Sequence, residues 1–121
     1  MIAIDELAGR LGEVAIVDVR TPGEYDGTRG KPCDPRQGHI PGARNLDIYR
    51  LMDLEPQAAV AELGVEPGAE IVAYCHSGGR SAMATQILRA LGYDARNYEG
   101  SWHEWSRHDD LPVETHESIS P

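Results

Sequence analysis

The stretch Glu70-Ile71-Val72-Ala73-Tyr74-Cys75-His76-Ser77-Gly78-Gly79-Arg80-Ser81 has the strongest structural pattern in this chain. Its first five residues are mostly apolar, which predicts a buried strand. The residues that follow, 81–91, carry apolar side chains at helical spacing, namely Ala84, Ile87, Leu88 and Leu91. The pattern therefore predicts a strand, a short loop and a helix, with the thiol of Cys75 at the start of the loop.

The predicted loop surrounds the sulfur of Cys75 with groups that favour an anion. Backbone N–H groups of the loop and the positive end of the helix dipole are expected to lower the pKa of the thiol below about 8.5. Gly78 and Gly79 suit a backbone that wraps around an anion, because such a backbone needs positive φ angles or close approach. Arg80 adds a fixed cation. The loop therefore predicts a nucleophilic thiolate, although a buried cysteine beside an ordinary turn has the same composition.

Strands and helices alternate along the rest of the chain. Strands are predicted at residues 14–18, 43–46, 70–74 and 95–98, and helices at residues 5–11, 22–25, 56–63 and 81–91. This alternation predicts one α/β domain, with a central, mostly parallel sheet and helices on both faces. Ligands of such sheets bind at the carboxyl ends of the strands, where Cys75 lies. The domain is predicted to cover residues 1–113, and residues 114–121 to form a flexible C-terminal tail.

Composition and charge limit the classes of partner. Of 121 residues, 40% are hydrophobic and 26% are charged, which is typical of a globular protein. The net charge of −9 disfavours nucleic acids and anionic membranes, because both are bound through basic surfaces. The first residues lack a basic region followed by an apolar core, and no apolar run approaches about 18 residues. A cytoplasmic location is therefore expected.

The two cysteines, Cys33 and Cys75, are expected to be reduced, since a disulfide between them would consume the proposed nucleophile. Cys33 is expected to be a loop residue, with a role as a resolving thiol as the alternative. The histidines show no spacing typical of a metal site, and they are His39, His76, His103, His108 and His116. Neither a metal nor another cofactor is predicted.

Four segments resemble, in order and spacing, motifs of the rhodanese family of sulfurtransferases. The Cys-x-x-x-x-Arg loop from Cys75 to Arg80 resembles the active-site loop of that family, and the other segments are VDVRTPGEY at residues 17–25, GHIPGARN at residues 38–45 and GSWHEW at residues 100–105. Several ordered matches are more specific than one. The resemblance implies a single rhodanese-like domain, similar to the catalytic half of two-domain thiosulfate or mercaptopyruvate sulfurtransferases.

The resemblance implies a double displacement at Cys75. The thiolate takes the outer sulfur of a small anionic donor such as thiosulfate, sulfite leaves, and the Cys75 persulfide passes its sulfur to a thiophilic acceptor. That acceptor is cyanide, a thiol or a protein. The donor is expected to be bound by the loop residues His76, Ser77, Gly78, Gly79, Arg80 and Ser81.

Charged residues outside the loop are given lesser roles. On the resemblance, Asp18 and Arg20 are expected to form an ion pair that supports the loop rather than to take part in the chemistry. Arg36 and Arg44 lie in or near the long loop at residues 26–37 and are possible pocket cations. Surface loops carry such charges routinely, however.

Other functions fit part of the pattern. Cysteine phosphatases also use a Cys-to-Arg loop, but with five residues between the two, whereas four separate Cys75 from Arg80 and Ser81 stands where a phosphatase needs arginine. Cys75-x-Ser77-Gly78 is similar to the loop of mercaptopyruvate sulfurtransferases, while Arg80 suits a doubly charged inorganic donor. Thiosulfate is the predicted donor, and the alternatives are mercaptopyruvate, or a persulfide carrier or regulatory module that acts on a protein partner.

Overall fold

The structure is a computed structural model in which residues 1–115 are described. Its strands are β1 (Ala15–Asp18), β2 (Arg44–Asn45), β3 (Glu70–Tyr74) and β4 (Asp94–Asn97). Its helices are α1 (Ile4–Ala8), α2 (Pro22–Asp26), α3 (Ile48–Met52), α4 (Pro56–Leu63), α5 (Gly79–Ala90) and α6 (Ser101–Trp105). No helix in this part of the chain is long and apolar enough to cross a membrane.

The four strands form one parallel sheet in the order β2-β1-β3-β4, which confirms the predicted α/β architecture. The predicted bounds of β3 and α4 agree with the structure. Because β3 is central, all its residues from Ile71 to Tyr74 are buried. Its carboxyl end therefore opens between the ends of β1 and β4, and the loop that begins at Cys75 lies there.

Apolar side chains cover both faces of the sheet, as alternation along each strand requires. One face packs against α3, α4 and α5 through a cluster that includes Val17, Ile71, Ala73, Leu51, Leu63, Ala84 and Leu88. The other face packs against α1 and α6 through Leu7, Ile16, Val72, Tyr74, Trp102 and Trp105. The prediction of helices on both faces is thus confirmed.

The start of α2 is fixed by a capping box. The side chain of Thr21 accepts a hydrogen bond from the backbone of Glu24, and the Glu24 carboxylate accepts one from the backbone of Thr21. Pro22 occupies the first turn, where its missing N–H costs nothing. Gly27 then ends the helix with a left-handed φ of 89°. Glu24 is consequently held in place at the carboxyl side of the sheet.

Two helices were not predicted. Both α3 and α6 have five residues, too few to show a helical period. Asp47 caps α3 by accepting a hydrogen bond from the backbone N of Tyr49 at 2.9 Å. The packing of Trp102 and Trp105, both 0% exposed, stabilises α6. These helices depend on tertiary contacts more than on local preference.

The last described residues remain attached to the domain. The backbone groups of Glu114 and His39 exchange two hydrogen bonds, with N···O distances of 2.8 and 3.0 Å. The first residue of the predicted tail at 114–121 is therefore paired with the domain, and residues 116–121 lie outside the described residues. The boundary after residue 113 stays a prediction.

Candidate active site

The sulfur of Cys75 lies in a cradle of hydrogen-bond donors. Its Sγ accepts from the backbone N of Gly78 at 3.1 Å, and from the backbone N and Oγ of Ser81, each at 3.4 Å. Burial alone would raise the pKa of this thiol, but the hydrogen bonds from Ser81, Gly78 and Ser77 lower it below its ordinary value. The residue is only 1% exposed. The site thus stabilises a buried thiolate with neutral dipoles.

The first turn of α5 and one glycine build this cradle. Ser81 is the third residue of α5, so its N–H has no partner within the helix and is free to point at the sulfur. Gly78 has a left-handed φ of 101°, and a Cβ there would lie 2.7 Å from the carbonyl oxygen of Glu99. Gly79 has open space around it and no positive φ. The backbone conformation thus requires glycine at position 78, as expected, whereas position 79 could hold a residue with a Cβ.

The amino end of α6 fixes the base of the loop. Ser101 Oγ accepts from the backbone N of Cys75 at 3.1 Å and lies 4.0 Å from its Sγ. The backbone N of Trp102 donates to the carbonyl of Cys75, and that of His103 donates to the carbonyl of His76. Among the described residues Ser101 alone combines a side chain with positive φ, at 55°. Such backbones cost on the order of 1–3 kcal/mol and are retained where the surrounding structure requires them.

Arg80 is paired with a carboxylate that the sequence analysis did not single out. Its Nη1 lies 2.9 Å from Glu24 Oε1, and its Nη2 lies 3.2 Å from Oε2. Burial would raise the pKa of Glu24, but the hydrogen bonds from Arg80 and Thr21, with nearby positive charge, lower it to about 2. The side chain of Arg80 is still 33% exposed. The guanidinium is therefore oriented by Glu24 and remains accessible from solvent.

Asp18 and Arg20 form a buried ion pair, with Arg20 Nη2 2.7 Å from Asp18 Oδ2 and side-chain exposures of 1% or less. Burial would lower the pKa of Arg20, but the charge of Asp18 raises it above its ordinary value. The same Nη2 donates to the carbonyl of Gly38 at 2.6 Å, and the guanidinium lies 5.0 Å from the ring centroid of Trp102. The pair joins β1 to the segment before β2 and to α6.

His76 connects the Cys75 loop to the long loop. Its Nε2 lies 2.9 Å from Oδ2 of Asp34, whose Oδ1 lies 3.1 Å from Nη1 of Arg107. Arg107 also donates to the carbonyls of Cys33 and His103. Asp34 is 42 residues from His76 and 73 from Arg107, so no local pattern could reveal the cluster.

Arg36 and Arg44, the two possible pocket cations, contact residues outside the Cys75 loop. The guanidinium of Arg36 donates to four backbone carbonyls at and after the end of α6, those of Trp105, Ser106, His108 and Leu111. The guanidinium of Arg44 lies against Gly64, where an added Cβ would be 2.6 Å from its Nε. Within residues 1–115 neither arginine has a hydrogen bond or ion pair to the loop at 75–81. Arg36 thus ties the long loop to the end of α6 and to the segment that follows it.

A comparison with protein families matches the rhodanese-like domain to residues 3–108. The chain belongs to the rhodanese-like domain family. It is similar to the thiosulfate sulfurtransferase of Azotobacter vinelandii, with 43% identity over an alignment that covers 91% of this chain and 44% of that protein. The rhodanese-like chain thus spans less than half the length of this relative.

Solved structures support the same fold. The human single-domain sulfurtransferase TSTD1 is 32% identical, with a TM-score of 0.69 and coverage of 91% of this chain and 97% of that one. A structure of EanB that carries a cysteine persulfide, with ergothioneine, is 28% identical, with a TM-score of 0.83 and coverage of 94% of this chain and 27% of that one. The expectation of a rhodanese-like α/β domain is therefore confirmed.

Two surface cavities flank the outer side of the rhodanese-like loop. One of about 750 Å³ is lined by Ser77, Glu99, Tyr98 and the first four residues of the chain. The other, of about 550 Å³, is lined by Ser77, Gly78, Gly79 and residues of α5. Cys75 lines neither cavity.

Proposed function

We propose that this rhodanese-like domain is a thiosulfate sulfurtransferase that carries the transferred sulfur as a persulfide on Cys75. The observation that carries the proposal is the set of donors around Sγ, two backbone N–H groups and the hydroxyl of Ser81, with the pKa of the thiol lowered. The thiolate is the nucleophilic form of cysteine. The similarity to a thiosulfate sulfurtransferase of Azotobacter vinelandii supports the choice of donor.

The proposed reaction has two displacements at sulfur. In the first, the Cys75 thiolate attacks the outer sulfur of thiosulfate, the S–S bond of thiosulfate breaks, and sulfite leaves with the electron pair. In the second, a cyanide ion or a thiolate attacks the outer sulfur of the persulfide, and the Cys75 thiolate leaves. No oxidant or reductant is consumed. Ping-pong kinetics follow, because sulfite departs before the acceptor reacts.

The loop residues take separate roles in this proposal. The backbone N–H groups of Ser77, Gly78 and Ser81 stabilise negative charge on Sγ before attack and after sulfur release. Arg80 attracts the negatively charged donor, since its guanidinium is 33% exposed and is oriented by Glu24. The backbones of His76 and Gly79 complete the loop, and Asp18 and Arg20 support it from below.

Intact mass measurement tests the proposal directly. The purified protein is incubated with thiosulfate and then with cyanide, beside the variants Cys75→Ser and Cys33→Ser. We expect the wild type and Cys33→Ser to gain the mass of one sulfur, and to lose it to cyanide with release of thiocyanate. We expect Cys75→Ser to gain none.

The donor is tested in the same format with mercaptopyruvate. A preference for mercaptopyruvate of more than tenfold in kcat/KM, about 1.4 kcal/mol of transition-state stabilisation, would replace thiosulfate as the proposed donor. Absence of sulfur uptake from both donors would contradict sulfur transfer at Cys75. Sulfur uptake that persists in Cys75→Ser would show that another residue carries the sulfur.

A further inference from the structure

A group of side chains of the types that ligate metals lies beside the Cys75 loop. The Sγ of Cys33, a carboxylate oxygen of Asp34 and a ring nitrogen of His76 all lie within 4.8 Å of one another. The proposed sulfur transfer uses neither Cys33 nor Asp34. We propose that these three residues bind a thiophilic divalent cation such as Zn²⁺, at the junction of the long loop and the Cys75 loop.

The chemistry of the donors fits such an ion. Zn²⁺ in proteins is bound by cysteine, histidine and carboxylate ligands at about 2.0–2.3 Å, usually in tetrahedral geometry. Donors at those bond lengths lie roughly 3.3–3.8 Å apart, so the cluster needs to contract by only about 1 Å at its widest point. Three protein ligands leave the fourth position for a water molecule. The imidazole and carboxylate, now 2.9 Å apart, need to separate only slightly.

The surrounding structure holds the side chains of Asp34 and His76 in place and leaves the thiol of Cys33 accessible to solvent. Asp34 is 6% exposed; its Oδ1 lies 3.1 Å from Nη1 of Arg107, and Nε2 of His76 lies 3.1 Å from Oδ1 and 2.9 Å from Oδ2. Gln37 donates to the carbonyls of Lys31 and Asp34, and so fixes the turn that carries both loop ligands. Cys33 is exposed. An ion can therefore arrive from solvent at Cys33 and meet a prepared carboxylate and imidazole.

Charge balance supports a divalent ion. The thiolate of Cys33 and the carboxylate of Asp34 together supply two negative charges, and the neutral imidazole adds a donor without charge. Arg107 shares the carboxylate and opposes a second cation, so binding is expected to be weaker than at a structural zinc site. The ion would tie the long loop to His76, the residue next to Cys75. The histidine spacing considered in the sequence could not reveal this site, because its ligands come from two distant loops.

Metal titration of the reduced, chelator-treated protein tests this proposal. Zn²⁺ binding is measured by calorimetry, and Co²⁺ is used as a spectroscopic probe because a cobalt–thiolate bond gives a near-ultraviolet charge-transfer band. We expect one equivalent to bind, with the band present. Cys33→Ser should lose the band and at least tenfold in affinity, and His76→Gln should lose at least tenfold in affinity.

Two control variants separate this site from others. Cys75→Ser should keep both the affinity and the cobalt band, because the buried thiol is not a ligand. His108→Gln removes an exposed imidazole outside the cluster and should also leave binding unchanged. Thermal unfolding of each variant without metal establishes that it is folded.

The proposal is overturned if Cys33→Ser retains the band, if Cys75→Ser loses it, or if no ion binds to the folded wild type. Sulfur uptake at Cys75 is measured separately by mass. Failure of the metal site and failure of the proposed function are therefore distinguishable.

Discussion

Replacement of Glu24 by glutamine tests the energetic role of the pair with Arg80. Glutamine keeps the size of the side chain and one carbonyl oxygen, so the capping contact to Thr21 is preserved. The pKa of Glu24 is lowered from its ordinary value of 4.5 to about 2, which corresponds to roughly 3 kcal/mol of stability at neutral pH. Because Arg80 is 33% exposed, solvent screens the pair. We therefore expect Glu24→Gln to lower the free energy of unfolding by about 2 kcal/mol at pH 7.

The pH dependence identifies the source of that loss. A carboxylate whose pKa is depressed by folding contributes its full stability above its unfolded pKa, and this contribution disappears as pH falls through the folded pKa. The difference between wild type and Glu24→Gln should therefore be constant down to about pH 5 and should shrink between 4.5 and about 2. The difference in unfolding free energy between the two proteins reports on Glu24, because the other acidic residues titrate in both and their contributions cancel.

Urea unfolding followed by tryptophan fluorescence provides the assay, since Trp102 and Trp105 are both fully buried. Titrations are run from pH 7 to the acid limit of reversible folding. Glu66→Gln, at an exposed position, is the matched control and should change stability by less than about 0.5 kcal/mol. A loss of equal size at pH 7 and pH 3, or no loss at pH 7, would show that the Glu24 carboxylate does not stabilise the fold through its charge.

The remaining predictions concern the sulfur and the buried ion pair. Ser81→Ala should raise the pKa of Cys75, since the hydroxyl that donates to its sulfur at 3.4 Å is lost. Ser77→Ala should leave that pKa unchanged, because Ser77 acts through its backbone. The pKa of Cys75 in each variant is measured from the pH dependence of its alkylation rate, in a background that lacks the exposed Cys33. Equal pKa values in Ser81→Ala and Ser77→Ala would contradict the prediction. Asp18→Asn should cost about 3–5 kcal/mol, because it leaves Arg20 buried without a counter-ion. Chemical denaturation checks it, and a loss below about 1 kcal/mol would show that Arg20 finds other partners.

The parts of the fold that could be predicted from sequence are those with local causes. The strand at 70–74 is mostly apolar, and the helix at 56–63 starts with proline and ends before Gly64, whose φ is 78°. The parallel sheet followed from the alternation of such elements. Cys75 could be placed at a carboxyl strand end for the same reason, without knowledge of any side-chain contact.

The parts that could not be predicted depend on contacts between distant residues. Arg80 was recognised as a cation, but its partner Glu24 lies 56 residues away, and Arg36 donates to carbonyls about 70 residues away. The positive φ of Ser101 has no signal in the sequence, because serine does not favour that conformation. Sequence patterns therefore located the reactive residue and left the orientation of its neighbours open.

The pairing of Arg80 with Glu24 bears on how the proposed nucleophile stays reactive. The nucleophilicity of a thiolate falls as its pKa falls, so strong stabilisation of the resting anion would slow its attack on the donor. Here Glu24 compensates the guanidinium charge, and the sulfur is stabilised by neutral donors, two of them at 3.4 Å. Such donors lower the pKa of the thiol without placing a full positive charge directly on the sulfur. In the proposed reaction, a negatively charged donor competes with Glu24 for the guanidinium of Arg80. The positive charge of Arg80 therefore acts mainly on the bound donor and less on the resting thiolate.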